Sequence, residues 1–301
     1  MVSSGKRLRR RVRFLLLRAV LGAASYLPRR AGLALCAQLG ELALACHPRG
    51  RAQILVNSRR IHPDWPAAAH ARFARRNVRA VAGNLFDFIR LRRYSLAEIE
   101  RLVRVQGAEH LRRARRPGIG VICISAHLGC WELLPARMRA AGYAVAVVYR
   151  PLRERALDEY VARRRRRLGV ATHTRDGGGR AVWRSLRDGA LVGILIDQRT
   201  RVESVPADFL GHPAPTPTAP VRLAWRTGAP VVPVTIARDA DRRYTLTIGP
   251  EVVLPPPPEP AAGEAEVAAR LTAGCRACNA ALEERVRAHP EQWVWFHARW
   301  D

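Results

Sequence analysis

A histidine and a glutamate separated by four residues, His127 and Glu132, follow a short apolar run. An imidazole titrates near neutral pH, so it can take a proton from a hydroxyl group. A carboxylate on the other ring nitrogen fixes the tautomer and stabilises the imidazolium that forms. The pair is therefore a candidate general base with its orienting acid. The spacing alone is a weak signal, and the chain has no Gly-x-Ser-x-Gly motif that would indicate a serine nucleophile.

The residues before His127 predict the element that positions it. Residues 121–124 are apolar, include β-branched side chains and follow a Pro-Gly pair, which is typical of a buried strand. The chain then turns at Ser125 and Ala126, and the pattern from Gly129 onward predicts a helix. His127 is thus expected at the carboxyl end of a strand, which is the edge of an open α/β sheet where ligands bind.

Along the rest of the chain, predicted strands alternate with predicted helices. This alternation predicts an α/β fold with a mostly parallel central sheet flanked by helices. Residues 50–105 are expected to be helical, and the polar, proline-rich stretch 198–217 is expected to be a loop. The strand predicted at 191–196 ends at Asp197, which adds a second acid at the ligand-binding edge. Further strands are predicted at 144–149, 170–174, 231–237 and 244–248, and further helices at 108–115, 154–168, 181–187, 218–226 and 262–288.

The composition favours an anionic partner. The chain has 301 residues and a net charge of +27, and its basic excess is almost all arginine. Such a charge attracts nucleic acid, an anionic membrane surface, or an acidic or phosphorylated substrate. No nucleic-acid-binding motif is present in the sequence, and aromatic residues do not interleave with the basic runs. The six cysteines are scattered, which is typical of a reducing compartment, and the lone Cys275–Cys278 pair lacks the second pair of a zinc site.

Residues 1–48 are predicted to form a membrane-associating region, separate from a main domain at 49–301. A basic run at 3–13 precedes an apolar segment at 14–27, and a second apolar helix is predicted at about 31–46. The first segment is shorter than the roughly 20 apolar residues that a spanning helix needs. We therefore expect a helical hairpin in a membrane interface, with its basic end among anionic headgroups. An amphipathic pair packed on the main domain and a marginal single span are the alternatives.

The aromatic residues near the C-terminus and two further histidines are interpreted as structural. Trp293, Trp295 and Trp300 are predicted to be core or interface residues rather than a binding stripe. His173 and His297 are expected to have no part in catalysis.

Six motifs extend over nearly the whole chain: Ser125–Glu132, Tyr149–Pro151, Asp197-Gln198, Phe209 with Gly211, Thr227–Pro230 with Pro233, and Pro290–His297 with Arg299-Trp300. In these motifs, and in their order, the chain resembles the bacterial lipid A biosynthesis acyltransferases. This family comprises the late lauroyl and myristoyl acyltransferases and includes the mycobacterial phosphatidylinositol mannoside acyltransferases. A single match would be weak, but six in the family's order make chance agreement implausible.

The resemblance implies a glycerolipid acyltransferase-like sandwich and a direct transfer mechanism. It implies that His127 is the general base and that Glu132 is its orienting partner, while a lipid hydroxyl attacks an acyl thioester. No metal or redox cofactor is implied, because the acyl thioester is itself a substrate. The family often has Phe and Asn where this chain has Leu128 and Cys130, a difference that affects substrate shape more than the base.

The resemblance also implies substrate-binding residues. These are Arg150, an arginine on the following helix, and the acid Asp197. The run Arg163–Arg167 covers every side of its predicted helix, so most of its members are expected to face solvent. Within that run, Arg164 is the first candidate for the substrate-binding arginine and Arg166 is the second.

The expected reaction is acyl transfer in lipopolysaccharide biosynthesis. The implied donor is a thioester of acyl carrier protein, with acyl-CoA as second choice, and the implied acceptor is a hydroxyl of a lipid A precursor. The expected location is the cytoplasmic face of the cell inner membrane. The alternatives are an acyltransferase for another glycolipid such as phosphatidylinositol mannoside, a hydrolase that uses the same base, and a nucleic-acid-binding protein, which is favoured by charge alone.

Overall fold

The computed structural model describes residues 12, 15–16, 18–152 and 154–300. Residues 18–24 are helical and lead through a short turn into α1. The helices are α1 (Arg29–Cys46), α2 (Pro48–Ile61), α3 (Ala67–Arg90), α4 (Leu96–Leu102), α5 (Ala108–Ala114), α6 (Leu133–Ala140), α7 (Arg155–Arg167), α8 (Gly179–Arg187), α9 (Ala219–Thr227) and α10 (Glu264–Ala288). The strands are β1 (Val103–Gln106), β2 (Val121–Ser125), β3 (Val145–Tyr149), β4 (Val170–Thr174), β5 (Leu191–Leu195), β6 (Ser204–Phe209), β7 (His212–Pro217), β8 (Val231–Arg238) and β9 (Tyr244–Ile248). A 3₁₀ turn at Pro290–Gln292 follows α10.

The central sheet has seven strands in the order β1-β9-β8-β2-β5-β3-β4. Strand β2 lies in the middle and pairs in parallel with β5 and with β8. Strand β3 pairs in parallel with β5 and with β4. The β8–β9 pairing is antiparallel, so β9 and β1 run opposite to the others. The predicted α/β fold with a mostly parallel central sheet is therefore confirmed.

The position of strand β2 in the sheet explains why residues 121–124 are all apolar. All of its residues are buried, and successive side chains point to opposite faces of the sheet. Ile122 and Ile124 belong to one buried cluster, whereas Val121 and Cys123 belong to another. Because helices cover both faces, no position of the strand reaches solvent, as is usual for the inner strands of a parallel sheet.

The segment after β2 differs from the prediction of a helix from Gly129. Helix α6 begins only at Leu133, because Gly129 has a positive φ of 59° that a right-handed helix does not allow. A Cβ at Gly129 would lie 2.3 Å from the main-chain oxygen of Ile236. The chain from His127 to Glu132 therefore forms a tight loop against β8 instead of the first turns of a helix.

Two elements were not expected. Residues 103–106, predicted as helical, form β1 at one edge of the sheet. The proline-rich loop predicted at 198–217 contains the antiparallel hairpin β6–β7. Prolines alternate along β7, which leaves the N–H groups of Ala214 and Thr216 for pairing, and a two-stranded ribbon tolerates proline at its open edges.

Helix α1 packs against α3 through a close approach and a buried ion pair. A Cβ at Gly32 would lie 1.8 Å from the ring of Phe86, so only glycine permits this contact. Arg29 binds the carboxylate of Asp87 with two hydrogen bonds of 2.8 Å. Tyr244 of β9 donates to the same carboxylate at 2.8 Å. The network connects the N-terminal helices to the central sheet.

The outer face of α1 is apolar. Leu35, Leu39 and Leu42 are spaced along one side of the helix and are exposed. Among the described residues, no helix has both the length and the apolar character needed to cross a bilayer. The predicted insertion of the N-terminal helices in a membrane interface stays a prediction.

The division between residues 1–48 and 49–301 is not tested and stays a prediction as well. The basic run at 3–13 lies outside the described residues except for Val12.

The ion pair of Asp87 yields a stability prediction. Asp87→Asn leaves the Arg29 guanidinium without its counter-charge at a site where the Asp87 side chain is fully buried. We expect a loss of about 2–4 kcal/mol in the free energy of unfolding, measured by urea denaturation. Glu41→Gln is the matched control, because Glu41 pairs with Arg79 across the same two helices at a half-exposed site. The control is expected to lose less than about 1 kcal/mol. Equal losses in the two variants would contradict the assigned role of Asp87.

Candidate active site

The carboxyl ends of two neighbouring strands bring His127 and Asp197 together. Strands β2 and β5 pair in parallel with Ser125 opposite Leu195. His127 follows the first strand and Asp197 follows the second, so both leave the sheet at the same edge. This edge is where open α/β sheets bind ligands.

Asp197 accepts three hydrogen bonds from two segments of the chain. Its Oδ1 lies 2.8 Å from Nδ1 of His127, and its Oδ2 accepts the main-chain N–H of His127 at 2.7 Å. The indole Nε1 of Trp293 donates to Oδ2 at 2.7 Å. Burial on its own would raise the pKa of Asp197, but the charge and hydrogen bonds of His127 and the Trp293 bond outweigh it and lower this pKa.

The ionised Asp197 determines which nitrogen of His127 is free. A carboxylate only accepts hydrogen bonds, so Nδ1 carries the proton that lies between the two side chains. In the neutral ring, Nε2 is then left with its lone pair. The His127 side chain is 20% exposed, and the ring of Trp131 lies edge-on to it at 4.9 Å between centroids. The arrangement leaves Nε2 of His127 without a carboxylate partner in a side chain that is partly exposed.

Glu132 does not occupy the position that its spacing suggested. Its Oε2 accepts Nε of Arg165 at 3.0 Å, and its Oε1 accepts Nη2 of the same side chain at 2.5 Å. The prediction that Glu132 orients His127 is therefore corrected, because Asp197 is the carboxylate on Nδ1. The cause is the tight loop at Gly129, which directs Glu132 toward α7.

The arginine of α7 that contacts Glu132 is Arg165, which was not one of the two candidates named from the sequence. Arg165 binds Glu132, and its guanidinium lies 5.2 Å from the ring of Tyr149 at the end of β3. Arg164 is buried on another side of α7, where it donates to the main-chain oxygen of Phe88 at 3.1 Å.

The remaining candidates are exposed. Arg166 pairs with Glu159 on an exposed side of α7. Arg150 is exposed just after β3. The structure thus brings Arg165, and neither Arg164 nor Arg166, to Glu132.

Burial opposes the charge of Arg165, but the attraction and hydrogen bonds of Glu132 outweigh it and raise the pKa of Arg165. The guanidinium therefore stays ionised. Its Nη1 is buried and has no hydrogen-bond partner among the described residues. The Arg165 side chain as a whole is 13% exposed.

The C-terminal segment at residues 290–300 also contributes to the candidate site. This contribution was not predicted from the sequence. Gln292 accepts the N–H of Gly129 on its main-chain oxygen at 3.2 Å, and Leu128 forms a β-bridge with Trp293. This backbone contact places the Trp293 indole against Asp197. Asn77 of α3 donates to the main-chain oxygen of Trp293 at 2.7 Å.

Asn57 of α2 fixes the next part of the same segment. Its side-chain amide donates to the main-chain oxygens of Trp295 and His297 at 2.7 and 2.9 Å. A buried amide in a helix is a weak sequence signal, because its partner is more than 200 positions away along the chain. Sequence reasoning therefore missed both amides.

The predicted burial of Trp293, Trp295 and Trp300 is confirmed, since their exposure is 1%, 1% and 8%. Burial lowers the pKa of His297, while the nearby charge of Asp197 opposes that shift. The main-chain oxygen of His297 accepts from Asn57, and its structural interpretation stays a prediction. His173 hydrogen-bonds with Ser185 at 2.8 Å, as a structural histidine does.

The family of the chain follows from comparison with known proteins. Residues 4–301 match the family model of the bacterial lipid A biosynthesis acyltransferases. The chain belongs to this family. The resemblance first noted in six motifs thus extends over almost the full sequence, and it places the chain among the acyltransferases.

Individual proteins that resemble this chain have low sequence identity to it. The phosphatidylinositol mannoside acyltransferases of two Mycobacterium tuberculosis strains, CDC 1551 and H37Rv, are each 26% identical over 133 residues. That alignment covers 43% of this chain and 42% of each relative, so it spans less than half of their length. The crystal structure of the 1-acyl-sn-glycerophosphate acyltransferase PlsC from Thermotoga maritima aligns with a TM-score of 0.35 and 18% identity. The alignment covers 65% of this chain and 81% of the PlsC chain.

The depressed pKa of Asp197 predicts how its contribution to stability depends on pH. The pKa of an aspartate in an unfolded chain is about 3.9, and the pKa of Asp197 in the folded protein is lower, so its ionisation favours folding above about pH 4. This contribution is lost as the pH falls through the folded pKa. We expect Asp197→Asn to be less stable than the wild type near neutral pH, with a gap that narrows below about pH 4. Urea unfolding across this range measures the gap.

Asp208→Asn is the control, because Asp208 is a half-exposed acid in a surface ion pair. It should change stability little at any pH. A gap between the wild type and Asp197→Asn that stays constant into the acid range would contradict the ionised carboxylate.

Proposed function

We propose that this chain transfers a fatty acyl group from a thioester to a hydroxyl of a glycolipid, with His127 as general base and Asp197 as its orienting acid. The observation that carries the proposal is the Nδ1–Oδ1 contact of 2.8 Å, which leaves Nε2 free at a partly exposed position. Membership of the lipid A acyltransferase family supports the reaction class. In this role Asp197 replaces Glu132, which was first expected to orient the base.

The proposed reaction needs one base and no covalent enzyme intermediate. Nε2 of His127 takes the proton of the acceptor hydroxyl while its oxygen attacks the thioester carbonyl carbon. A C–O bond forms, the C–S bond breaks, and the thiolate takes the proton back from the imidazolium. Asp197 stabilises the imidazolium between these two steps, since its charge lies on the opposite ring nitrogen.

Arg165 is proposed to bind a substrate oxygen. Glu132 holds its guanidinium with two hydrogen bonds, and the free Nη1 is buried. A positioned donor of fixed positive charge stabilises negative charge on a thioester oxygen or on a phosphate. In this account Glu132 serves the reaction by positioning Arg165, while Arg150 is an exposed residue available for substrate at the same edge.

The acceptor is proposed to be a hydroxyl of a lipid A precursor, because the family model describes lipid A biosynthesis. A phosphatidylinositol mannoside is the second candidate, favoured by the mycobacterial relatives. The donor is proposed to be acyl carrier protein, whose acidic surface suits a chain with a net charge of +27, and acyl-CoA is the alternative.

We also propose that the protein acts at the cytoplasmic face of the inner membrane. The exposed leucines of α1 would lie among lipids there, and the basic chain would lie against anionic headgroups.

Product analysis tests the proposed substrates. The purified protein is incubated with thioesters of acyl carrier protein or CoA and with either a lipid A precursor or phosphatidylinositol mannoside, and the lipids are analysed by mass spectrometry. We expect acceptor-dependent gain of one acyl group on the lipid A precursor and faster transfer from the carrier protein. Acylation of the mannoside alone would support the second candidate. Release of free fatty acid without acceptor dependence would contradict acyl transfer and favour a hydrolase.

Substitutions separate the roles of the two acids. His127→Gln is expected to lower kcat by roughly 100- to 10,000-fold, because the base is lost. Asp197→Asn should lower kcat to a similar extent, because the tautomer and the imidazolium lose their support. Glu132→Gln should lower kcat/KM by roughly 10- to 100-fold, because a charged hydrogen-bond pair is weakened.

His110→Gln is the control for the histidine, because His110 lies on α5 and is partly exposed. It should retain normal turnover. Each variant is first checked for folding by circular dichroism. A Glu132 variant as inactive as the His127 variant, together with an active Asp197 variant, would contradict the proposed assignment.

A further inference from the structure

A cavity lies beside α7, where Tyr160, Arg163, Arg164 and Arg167 contribute to its lining. Its volume is about 590 Å³, and it opens between the N-terminal helical segment, the turn after α3, and α7. This size is within the range of pockets that bind small molecules. The lining residues are Leu15, Arg18, Ala19, Gly22, Tyr26, Leu91, Arg92, Tyr160, Arg163, Arg164 and Arg167.

The charged residues that line this cavity are all positive. Five lining residues are arginines and none is an acid. Arg163 has an ion pair with Glu159 at 3.6 Å, whereas no ion pair of Arg18, Arg92 or Arg167 occurs among the described residues. Like charges brought together at a partly apolar site repel each other, so an anion in the cavity would stabilise the group.

Arg164 is the buried member of this group. Its side chain is 6% exposed and its guanidinium lies 4.0 Å from the ring of Tyr160. Its Nε is buried and has no hydrogen-bond partner in the described part of the chain. Burial lowers the pKa of Arg164, and the nearby Arg92 charge adds to this effect. A buried donor without a partner is costly, and a cation held in this position favours an anion nearby.

The apolar part of the cavity identifies the kind of anion. Most of its lining is contributed by carbon atoms, with Leu15, Ala19 and Leu91 among the residues that supply them. A small soluble anion would leave this surface uncovered, and a fatty chain without a charge would leave the arginines unpaired. A molecule with a phosphate next to hydrocarbon satisfies both parts.

The surroundings favour a lipid that is already in a bilayer. Leu16 and Val20, on the same N-terminal segment, are exposed, as are the leucines of α1. An exposed apolar surface beside a basic site is what a protein presents to an anionic membrane.

We propose that this cavity binds an anionic membrane phospholipid. The phosphate contacts Arg164 and the arginines around it, and the glycerol and first methylenes of the acyl chains lie against Leu15, Ala19 and Leu91. The site is separate from His127 and from Arg165, and it does not depend on the acyl-transfer chemistry.

Vesicle binding by the full-length protein tests the proposal. The vesicles consist of phosphatidylcholine alone or with a minority of phosphatidylglycerol. Arg163→Gln combined with Arg167→Gln removes two exposed charges of the cavity without disturbing the buried Arg164. We expect binding to the phosphatidylglycerol vesicles to weaken by about tenfold or more, because each basic residue near an anionic surface contributes to the free energy of membrane binding.

Arg112→Gln combined with Arg113→Gln is the matched control, because it removes the same charge from the last turn of α5, where both residues are exposed. This control should bind within about threefold of the wild type. Equal losses in the two double variants would overturn the proposal, because net charge alone would then explain binding.

Two further measurements distinguish other sources of phosphate. Inorganic phosphate at millimolar concentration should not displace the protein from the vesicles at constant ionic strength, and displacement would overturn the lipid assignment. The KM for the lipid that accepts the acyl group should be unchanged in the double variant Arg163→Gln with Arg167→Gln. A raised KM with unchanged vesicle binding would mean that the cavity holds the acceptor, which would also overturn the proposal.

Discussion

The buried carboxylate of Asp197 is the constraint on which the site depends. A fully buried charge is unfavourable unless several donors compensate it, and here they come from the His127 loop and the C-terminal segment. The same three bonds fix the imidazole ring, the loop after β2 and Trp293. Because Asn57 and Asn77 fix the C-terminal segment to α2 and α3, the geometry of His127 also depends on the packing of these two helices.

Two carboxylates at this edge have different partners and therefore different effects. Asp197 pairs with an imidazole, whereas Glu132 pairs with the permanent charge of Arg165. The proposed base lies next to the acid that accepts from Nδ1, and the cation proposed to bind a substrate oxygen lies next to the other acid. Residue spacing along the chain favours Glu132 as partner of His127, but the parallel pairing of β2 with β5 brings in an acid that is 70 positions away.

The hydrophobic patterns of the sequence predicted the elements whose burial is reflected in their own residues. The apolar runs of β2, β5 and β8 and the long helix α10 were predicted, because burial on two faces or on one stripe leaves a clear periodicity. Strand β1 and the β6–β7 hairpin were missed, since a four-residue edge strand and a proline-rich ribbon lack that signal. The arginine of α7 could not be chosen from sequence either, because the run covers every face and the rotation of the helix depends on tertiary contacts.

The proton position on His127 is the most direct test of this account. Nitrogen-15 NMR of the protein labelled at histidine reports which ring nitrogen carries the proton in the neutral form. We expect a protonated Nδ1 and an unprotonated Nε2 in the wild type, and a mixed or reversed tautomer in Asp197→Asn. A proton on Nε2 in the wild type, or identical His127 signals in the two proteins, would contradict the claim that Asp197 prepares the base.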